Sequence, residues 1–387
     1  STVLTISEPS AEPYADNLYT QRFLKFDFDP YENPNLQTLR TKYKLDEVIK
    51  SGATEFEKQL LLMNWVFAIV DAHFGTPTGD AMGALAILER FFDPQDNFEG
   101  HCVQAMQILV SAAASLGWIC RGTALQRPSV FSLGYYSNAT PHSSTEIWSN
   151  QYGKWVMLDP MQNTYITNKE GIPLSAYEIR QEYYYNNDGE NLIVYMMHQG
   201  VFPNDQQPRI QKARTAAAAA IEARLDLKVY RANGGIVKDG YPAEVFASIC
   251  YIPNTNFMDA DPQYPWSIIT RCGTQICSDS EDNTINWLAG AGSVFLIPEN
   301  PAKDPYFALQ QVQVTAQVQD AATITLSFKT FTPNFKYFEI RTDGGAWSEN
   351  GNTYLWQLDL GEKSLEVRSL NKFGIAGAIS KAELSAR

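Results

Sequence analysis

The sequence predicts an α+β protein in three parts, and three observations carry the prediction. Residues 1–205 hold all four histidines and almost all of the long helical patterns. From Lys228 to about Asn300 the chain is cut by turn residues into short apolar runs, and from Lys303 to Arg387 it alternates with the period of two that marks half-buried strands. The parts are therefore expected at 1–205, 206–302 and 303–387. A length of 387 residues agrees with two or three domains, each large enough for its own core.

Each element follows from local pattern. Val103 to Leu116 is apolar on nearly every face, which marks a buried central helix, and Gly117 supplies a left-handed stop. From His142 a period-two pattern runs through Glu146-Ile147-Trp148 to a turn at Asn150-Gln151-Tyr152-Gly153, and a second strand comes next over Lys154–Asp159. Arg209–Leu227 contains the run Ala216–Ala220, of very high helix propensity, and reads as a connecting helix. Beyond it, Asn233-Gly234-Gly235, Asp239-Gly240, Pro253, Pro262 and Pro265 bound short runs such as Val245–Ile252, a β-rich texture. In the last part the expected strands are Thr323–Phe328, Tyr337–Arg341, Tyr354–Leu358 and Ser364–Leu370. They are separated by turns such as Asp343-Gly344-Gly345 and Leu360-Gly361-Glu362, a spacing that indicates a β-sandwich.

Composition excludes several classes of function. With 30 Lys plus Arg against 43 Asp plus Glu, the net charge is −13, so the chain repels a phosphate backbone and an anionic lipid surface. Lys303–Arg387 holds nine charges of each sign, which places the whole excess in residues 1–302 and disfavours a polyanionic substrate. A hydrophobic fraction of 44% argues for a folded chain. The longest apolar stretch, Ile108–Ile119, is interrupted by Ser111 and Ser115 and is far short of the roughly 20 residues a membrane span needs.

The chemistry centres on Cys102. It stands at the start of the buried helix, where free backbone N–H groups and the positive end of the helix dipole favour a thiolate, the form that attacks carbonyls. Folding the hairpin about its turn pairs residues whose numbers sum to about 301, which sets His142 opposite Asp159 on one face. A thiol at a helix start, a histidine that moves the proton and a carboxylate that fixes its tautomer form a nucleophile, base and orienter set.

These residues also resemble a family. Gly100-x-Cys102 on a helix, Leu116-Gly117-Trp118-Ile119-Cys120-Arg121, His142-x-x-x-Glu146 and Trp155-Val156-x-x-Asp159-Pro160 occur in the order found in the transglutaminase-like superfamily of cysteine-dependent acyl-transfer enzymes. Leu60–His73, with Trp65-Val66, is similar to the family's N-terminal helix, and Asn163–Tyr177 is similar to the segment after the aspartate in bacterial members; the resemblance spans about residues 40–180. It implies a papain-like catalytic domain, with Cys102 as nucleophile, His142 as general base then acid, and Asp159 as orienter. It implies hydrolysis of a peptide or amide rather than protein cross-linking, and no cofactor. One position departs: where the family has an aromatic two residues after the histidine, this chain has Ser144, which implies an altered cleft. The last 85 residues resemble a fibronectin type III or immunoglobulin-like module, notably at Phe338–Gly344, Trp347 and Leu365–Gly374. Such modules serve as spacers or as contact surfaces for cell-surface partners or glycans.

Other residues keep two readings. Trp65 is either a second oxyanion donor or core, and His101 either tunes the thiolate or is a surface residue. Cys272 and Cys277 either close a small disulfide loop or are two thiols, and no metal site is expected because neither they nor Cys250 has a histidine close in sequence. Asn138-Ala139-Thr140 has the form of a glycosylation acceptor, the Asp279–Asp282 cluster reads as a solvated turn, and His73 and His198 read as structural. Tyr183-Tyr184-Tyr185, Trp347 and Trp356 either stack on sugars or pack in cores. The expected location is secreted, periplasmic or cell-envelope. A reading from a different class keeps the fold without the reaction, as a catalytically silent protein- or glycan-binding module.

Overall fold

A computed structural model describes residues 2–9, 26–75, 83–126, 142–182, 186, 191–196, 248–251, 274–277, 294–296, 300, 302–358, 361 and 363–386. In chain order its elements are β1 (Thr2–Ser7), α1 (Pro34–Lys42), α2 (Leu45–Ile49), α3 (Glu55–Ala72), α4 (Ala84–Phe92), α5 (Cys102–Ser115), β2 (Cys120–Gln126), β3 (His142–Ser149), β4 (Lys154–Asp159), β5 (Thr164–Thr167) and α6 (Ala176–Gln181). Strands continue as β6 (Ile193–Met196), β7 (Ser248–Tyr251), β8 (Thr274–Cys277), β9 (Val294–Leu296), β10 (Val312–Val318), β11 (Thr323–Thr330) and β12 (Phe335–Thr342). The last are β13 (Ser348–Asn350), β14 (Thr353–Gln357), β15 (Ser364–Asn371) and β16 (Ser380–Ala386). The chain is α+β and divides into two compact units.

The first unit comprises residues 23–147 and 155–305. Its helices begin where the sequence supplies partners for free N–H groups. Thr54 caps α3 by accepting from Glu57 N–H at 3.2 Å, while the Glu57 carboxylate accepts from Thr54 N–H at 3.2 Å. Pro34 opens α1 behind an Asn33 cap, and Ser175 with Glu178 forms the same reciprocal pair at α6. Helix α5 is buried along almost its whole length and packs against α1, α3, α4 and β2. Burial of Met106, Ile108, Leu109 and Val110, all fully enclosed, contributes roughly 1.5–3 kcal/mol each. The helix ends where Gly117 turns left-handed (φ 88°), so that Trp118 N–H reaches Ala113 C=O at 2.9 Å and Gly117 N–H reaches Ala114 C=O at 3.0 Å.

Beside the helices lies an eight-stranded sheet in the order β6-β5-β4-β3-β2-β7-β8-β9, with β8 and β9 parallel. The centre of this sheet is the hairpin β3–β4 and strand β2, which comes after α5 by only four residues. That connection sets the start of α5 and the start of β3 in one unit.

The second unit comprises residues 1–22, 148–154 and 306–387. A five-stranded sheet, β1-β16-β15-β12-β13, and a three-stranded sheet, β10-β11-β14, enclose one core of Val312, Val314, Ile324, Leu326, Phe328, Phe338, Ile340, Trp356, Leu365, Val367 and Ala382. These residues alternate along their strands with outward-facing polar ones, which is what a two-sheet sandwich requires.

Three features cross the boundaries expected from sequence. β1 pairs along its whole length with β16, from Thr2↔Ala386 to Ser7↔Lys381, and sends Leu4 and Ile6 against the sandwich core. Such pairing across nearly the whole chain leaves no local pattern to read. The described strands of 206–302 do not stand apart either: β7 pairs with β2 (Cys250↔Ala124), so they widen the sheet of the first unit. Finally, the compact unit that holds the C-terminal strands begins at Tyr306 rather than 303 and takes in residues 1–22 and 148–154 as well. The expected helix Arg209–Leu227 lies outside the described residues, as do Asn138-Ala139-Thr140, Tyr183-Tyr184-Tyr185, His198, Cys272 and Asp279–Asp282. Backbone register sets Cys277 opposite Cys250.

Candidate active site

The backbone entering α5 is clamped before it reaches Cys102. Gly100 donates to His73 C=O at 2.9 Å and accepts from Gly75 N–H at 3.1 Å, which ties it to the end of α3. A side chain cannot stand at position 100, since a Cβ there would lie 2.7 Å from Phe91 Cζ and 3.1 Å from Gln104 Cβ. His101 then caps the helix: its Nδ1 accepts from Val103 N–H at 3.3 Å, and Gln104 Oε1 accepts from His101 N–H at 3.0 Å.

Cys102 occupies the first helical position and is half-buried. Burial pushes its thiol up, but hydrogen bonds from His101 and His142, the charge of His142 and the N–H of Ser143 outweigh that and hold it at about 5. Its Sγ lies 3.8 Å from His101 Nδ1.

His142 begins β3 and binds Asp159, the last residue of β4, through Nε2 and Oδ2 at 2.6 Å. The other oxygen of Asp159 accepts from Met161 N–H at 2.9 Å and Gln162 N–H at 3.0 Å, so this fully buried carboxylate is fixed at both oxygens. Burial pushes the His142 imidazole down, but the charge and hydrogen bond of Asp159, with those of Cys102 behind them, raise it to about 10. Because Nε2 is engaged by Asp159, Nδ1 is left to exchange a proton with Cys102. The imidazole keeps 18% of its surface exposed, so it faces both its buried partner and solvent.

Four residues along β3, Glu146 makes a different pair. Arg121 of β2, directly opposite, donates to Glu146 Oε2 through Nε at 2.9 Å and Nη2 at 2.6 Å, while Glu146 Oε1 accepts from Ala176 N–H at 2.8 Å. The guanidinium also donates to Pro305 C=O and lies 4.2 Å from the centre of the Trp155 ring. Every polar direction of this pair ends inside the protein.

The structure thus brings Cys102, His142 and Asp159 together, and it sorts the residues that kept two readings. Trp65 is fully buried with its ring 6.1 Å from that of Tyr43, a core position. His73 is held by Ile69 C=O at 2.8 Å and stacks on Phe91, which is structural. His101 is the helix cap and a neighbour of the thiol, and Ser144 is buried with its hydroxyl on Leu158 C=O at 3.1 Å. Trp356 is sandwich core, and Trp347 lies beneath the guanidiniums of Arg341 and Arg368 at 4.6 and 4.1 Å. The N–H of Ser143 at the thiol was missed from sequence; the residue after His142 carries no side-chain signal for what its backbone does. Among the described residues no group of three or more His, Cys, Asp or Glu is placed to hold a metal. No helix among them is long and apolar enough to cross a membrane.

No family model matches the chain, and no curated protein matches it closely enough to count as a relative.

Proposed function

We propose that the protein is a cysteine-dependent acyl-transfer enzyme with a transglutaminase-like catalytic domain, and that it hydrolyses a peptide or amide bond. The observation that supports this best is the ordered contact of three side chains: a thiol at a helix start, an imidazole hydrogen-bonded to it, and a buried carboxylate 2.6 Å behind the imidazole. The thiol held at about 5 and the imidazole at about 10 make the thiolate–imidazolium pair the resting form at neutral pH.

The chemistry starts from that pair. The Cys102 thiolate attacks the carbonyl carbon, and the oxyanion formed lies at the α5 N-terminus, where the backbone N–H groups of the first turn, that of Cys102 among them, point. His142 gives its proton to the leaving nitrogen, the C–N bond breaks, and a thioester remains. His142 then takes a proton from water, whose oxygen attacks the thioester, and the thiolate departs as the acid is released. Asp159 holds the ring in one orientation throughout. Buried Ser144, in place of the family's aromatic, leaves a smaller side chain on the strand that carries His142. The sandwich is read as a fibronectin type III-like module that contacts a protein or glycan partner at a cell surface, in keeping with a secreted, periplasmic or cell-envelope protein.

Alkylation of the full chain with iodoacetamide, tracked residue by residue by peptide mass spectrometry, tests the reading. Cys102 should react at pH 7 at least about tenfold faster than an ordinary thiol and slow markedly in His142→Ala. Equal, slow labelling of all thiols would leave a silent binding module as the better account.

A further inference from the structure

We propose that His101 is a positioning residue for Cys102, dividing its single Nδ1 between two competing hydrogen bonds, one to the helix and one to the sulfur. The inference rests on the reading of Cys102 as the nucleophile. Nδ1 lies 3.3 Å from Val103 N and 3.8 Å from Cys102 Sγ. An imidazole nitrogen carries either one lone pair or one proton, so it cannot serve both groups in the same way. With the lone pair on Nδ1, His101 accepts from Val103 N–H and caps α5, and the only favourable contact it offers the sulfur is as acceptor from a protonated thiol. With the proton on Nδ1, His101 donates to the thiolate, and Val103 N–H loses its cap.

The surroundings make this an exchange between two fixed partners. Gly100 is tied to His73 and Gly75, and the His101 backbone is held by Gln104 Oε1 on one side and by Ala105 N–H on the other. The ring is half-buried and cannot swing away without abandoning both bonds. The groups acting on the sulfur are His101 from the preceding residue, His142 with Asp159 behind it from the sheet, and the Ser143 N–H. Two imidazoles therefore meet one thiol. His142 carries the proton of the reaction, whereas His101 acts through the sulfur alone.

The consequence is a nucleophile whose charge is coupled to the first turn of its own helix. When the thiolate is consumed in a thioester, the acceptor form of His101 regains the better bond and the cap closes. When the thiolate returns, the donor form is favoured again.

The test compares wild type, His101→Asn and His101→Ala as full chains, measuring Cys102 alkylation from pH 4 to 8 beside thermal unfolding. Asparagine keeps a cap oxygen for Val103 N–H, and that oxygen, unlike Nδ1, can never turn donor toward the sulfur, so it separates the two roles. For His101→Asn we expect a melting temperature within about 2 °C of wild type. Its alkylation limb should move up by about one pH unit, seen as a rate near the foot of the limb that is roughly tenfold lower. His101→Ala should show the same shift and melt about 2–4 °C lower, as loss of a cap requires. A His101→Asn profile that superimposes on wild type overturns the proposal and leaves His101 a cap only. A wild-type Cys102 that reacts no faster than an ordinary thiol overturns both this inference and the acyl-transfer reading, so the two failures are distinguishable.

Discussion

Strand β3 carries two ion pairs four residues apart, and comparing them shows what separates a closed charge pair from one open to proton exchange. In both, the carboxylate is fully enclosed: Asp159 behind His142, and Glu146 behind Arg121. The Arg121 guanidinium is only 2% exposed, cannot lose its proton at any relevant pH, and spends its donors on Glu146 and Pro305 over the face of Trp155. His142 is 18% exposed, has one nitrogen on Asp159 and the other toward a thiol, and can lose its proton. The first pair is closed at every atom. The second is open at one, where the imidazole meets the thiol and solvent.

The comparison breaks most visibly at the open pair. Cys102→Ala should lower peptide or amide hydrolysis by on the order of 10⁴-fold or more, with little change in melting temperature. Asp159→Asn keeps an acceptor for the Met161 and Gln162 N–H groups but withdraws the charge behind His142. Hydrolysis in that variant should fall by about 10²–10⁴-fold, mainly in kcat, and the proton on His142 should be lost at lower pH, as NMR titration of the imidazole would show. If Asp159→Asn retained wild-type kcat, the two pairs on β3 would be equally structural.

The closed pair should fail in the opposite sense. Glu146→Gln leaves a buried guanidinium without its counter-charge, at a cost of about 3–5 kcal/mol. At 2–4 °C per kcal/mol for a unit of this size, the melting temperature should drop by roughly 10 °C, while kcat per folded molecule stays within about twofold. A large loss of kcat without loss of stability would show that the Arg121–Glu146 pair belongs to the chemistry after all.

How much of this was legible in the sequence depends on range. Helix α5 and its end could be read because the signals, an apolar run and then Gly117, lie within fifteen residues of one another. The relation of His142 to Asp159 could be read because a hairpin fixes register locally through its turn. The family resemblance supplied the order of the blocks but not the partner of Glu146, which lies directly across on β2. The closure of the sandwich by β1 and the widening of the sheet by β7 were invisible, since each strand meets its neighbour across a span of chain far longer than any period. The same applies to Trp65: its helical position shows that it faces inward, and only packing against Tyr43 shows that it stays there.

The two titrating groups of the open pair should separate when two reactions are measured across pH. Alkylation needs only the thiolate, so its rate should rise as pH passes about 5 and then stay level through pH 10, because loss of the His142 proton leaves the thiolate in place. Hydrolysis also needs the imidazolium to protonate the leaving nitrogen, so kcat/KM should rise near 5 and fall again near 10. A flat high-pH limb for hydrolysis would mean that His142 is not the acid.

The smallest expected effect belongs to the thiol beside the closed pair. Cys120 precedes Arg121 on β2 and is fully buried, and burial pushes it up to about 12. At neutral pH it is therefore a protonated, enclosed thiol, and alkylation of the native protein should pass it by until the chain unfolds. Cys120→Ala should leave the Cys102 alkylation profile unchanged and cost only about 1 kcal/mol through the small cavity it creates. In Glu146→Gln, by contrast, Cys120 should begin to label under native conditions as its strand opens more often, which makes it a reporter of the closed pair. Labelling of Cys120 as fast as Cys102 in the wild type would erase the difference between the two ends of β3, because both thiols would then owe their reactivity to exposure rather than to the imidazole beside one of them.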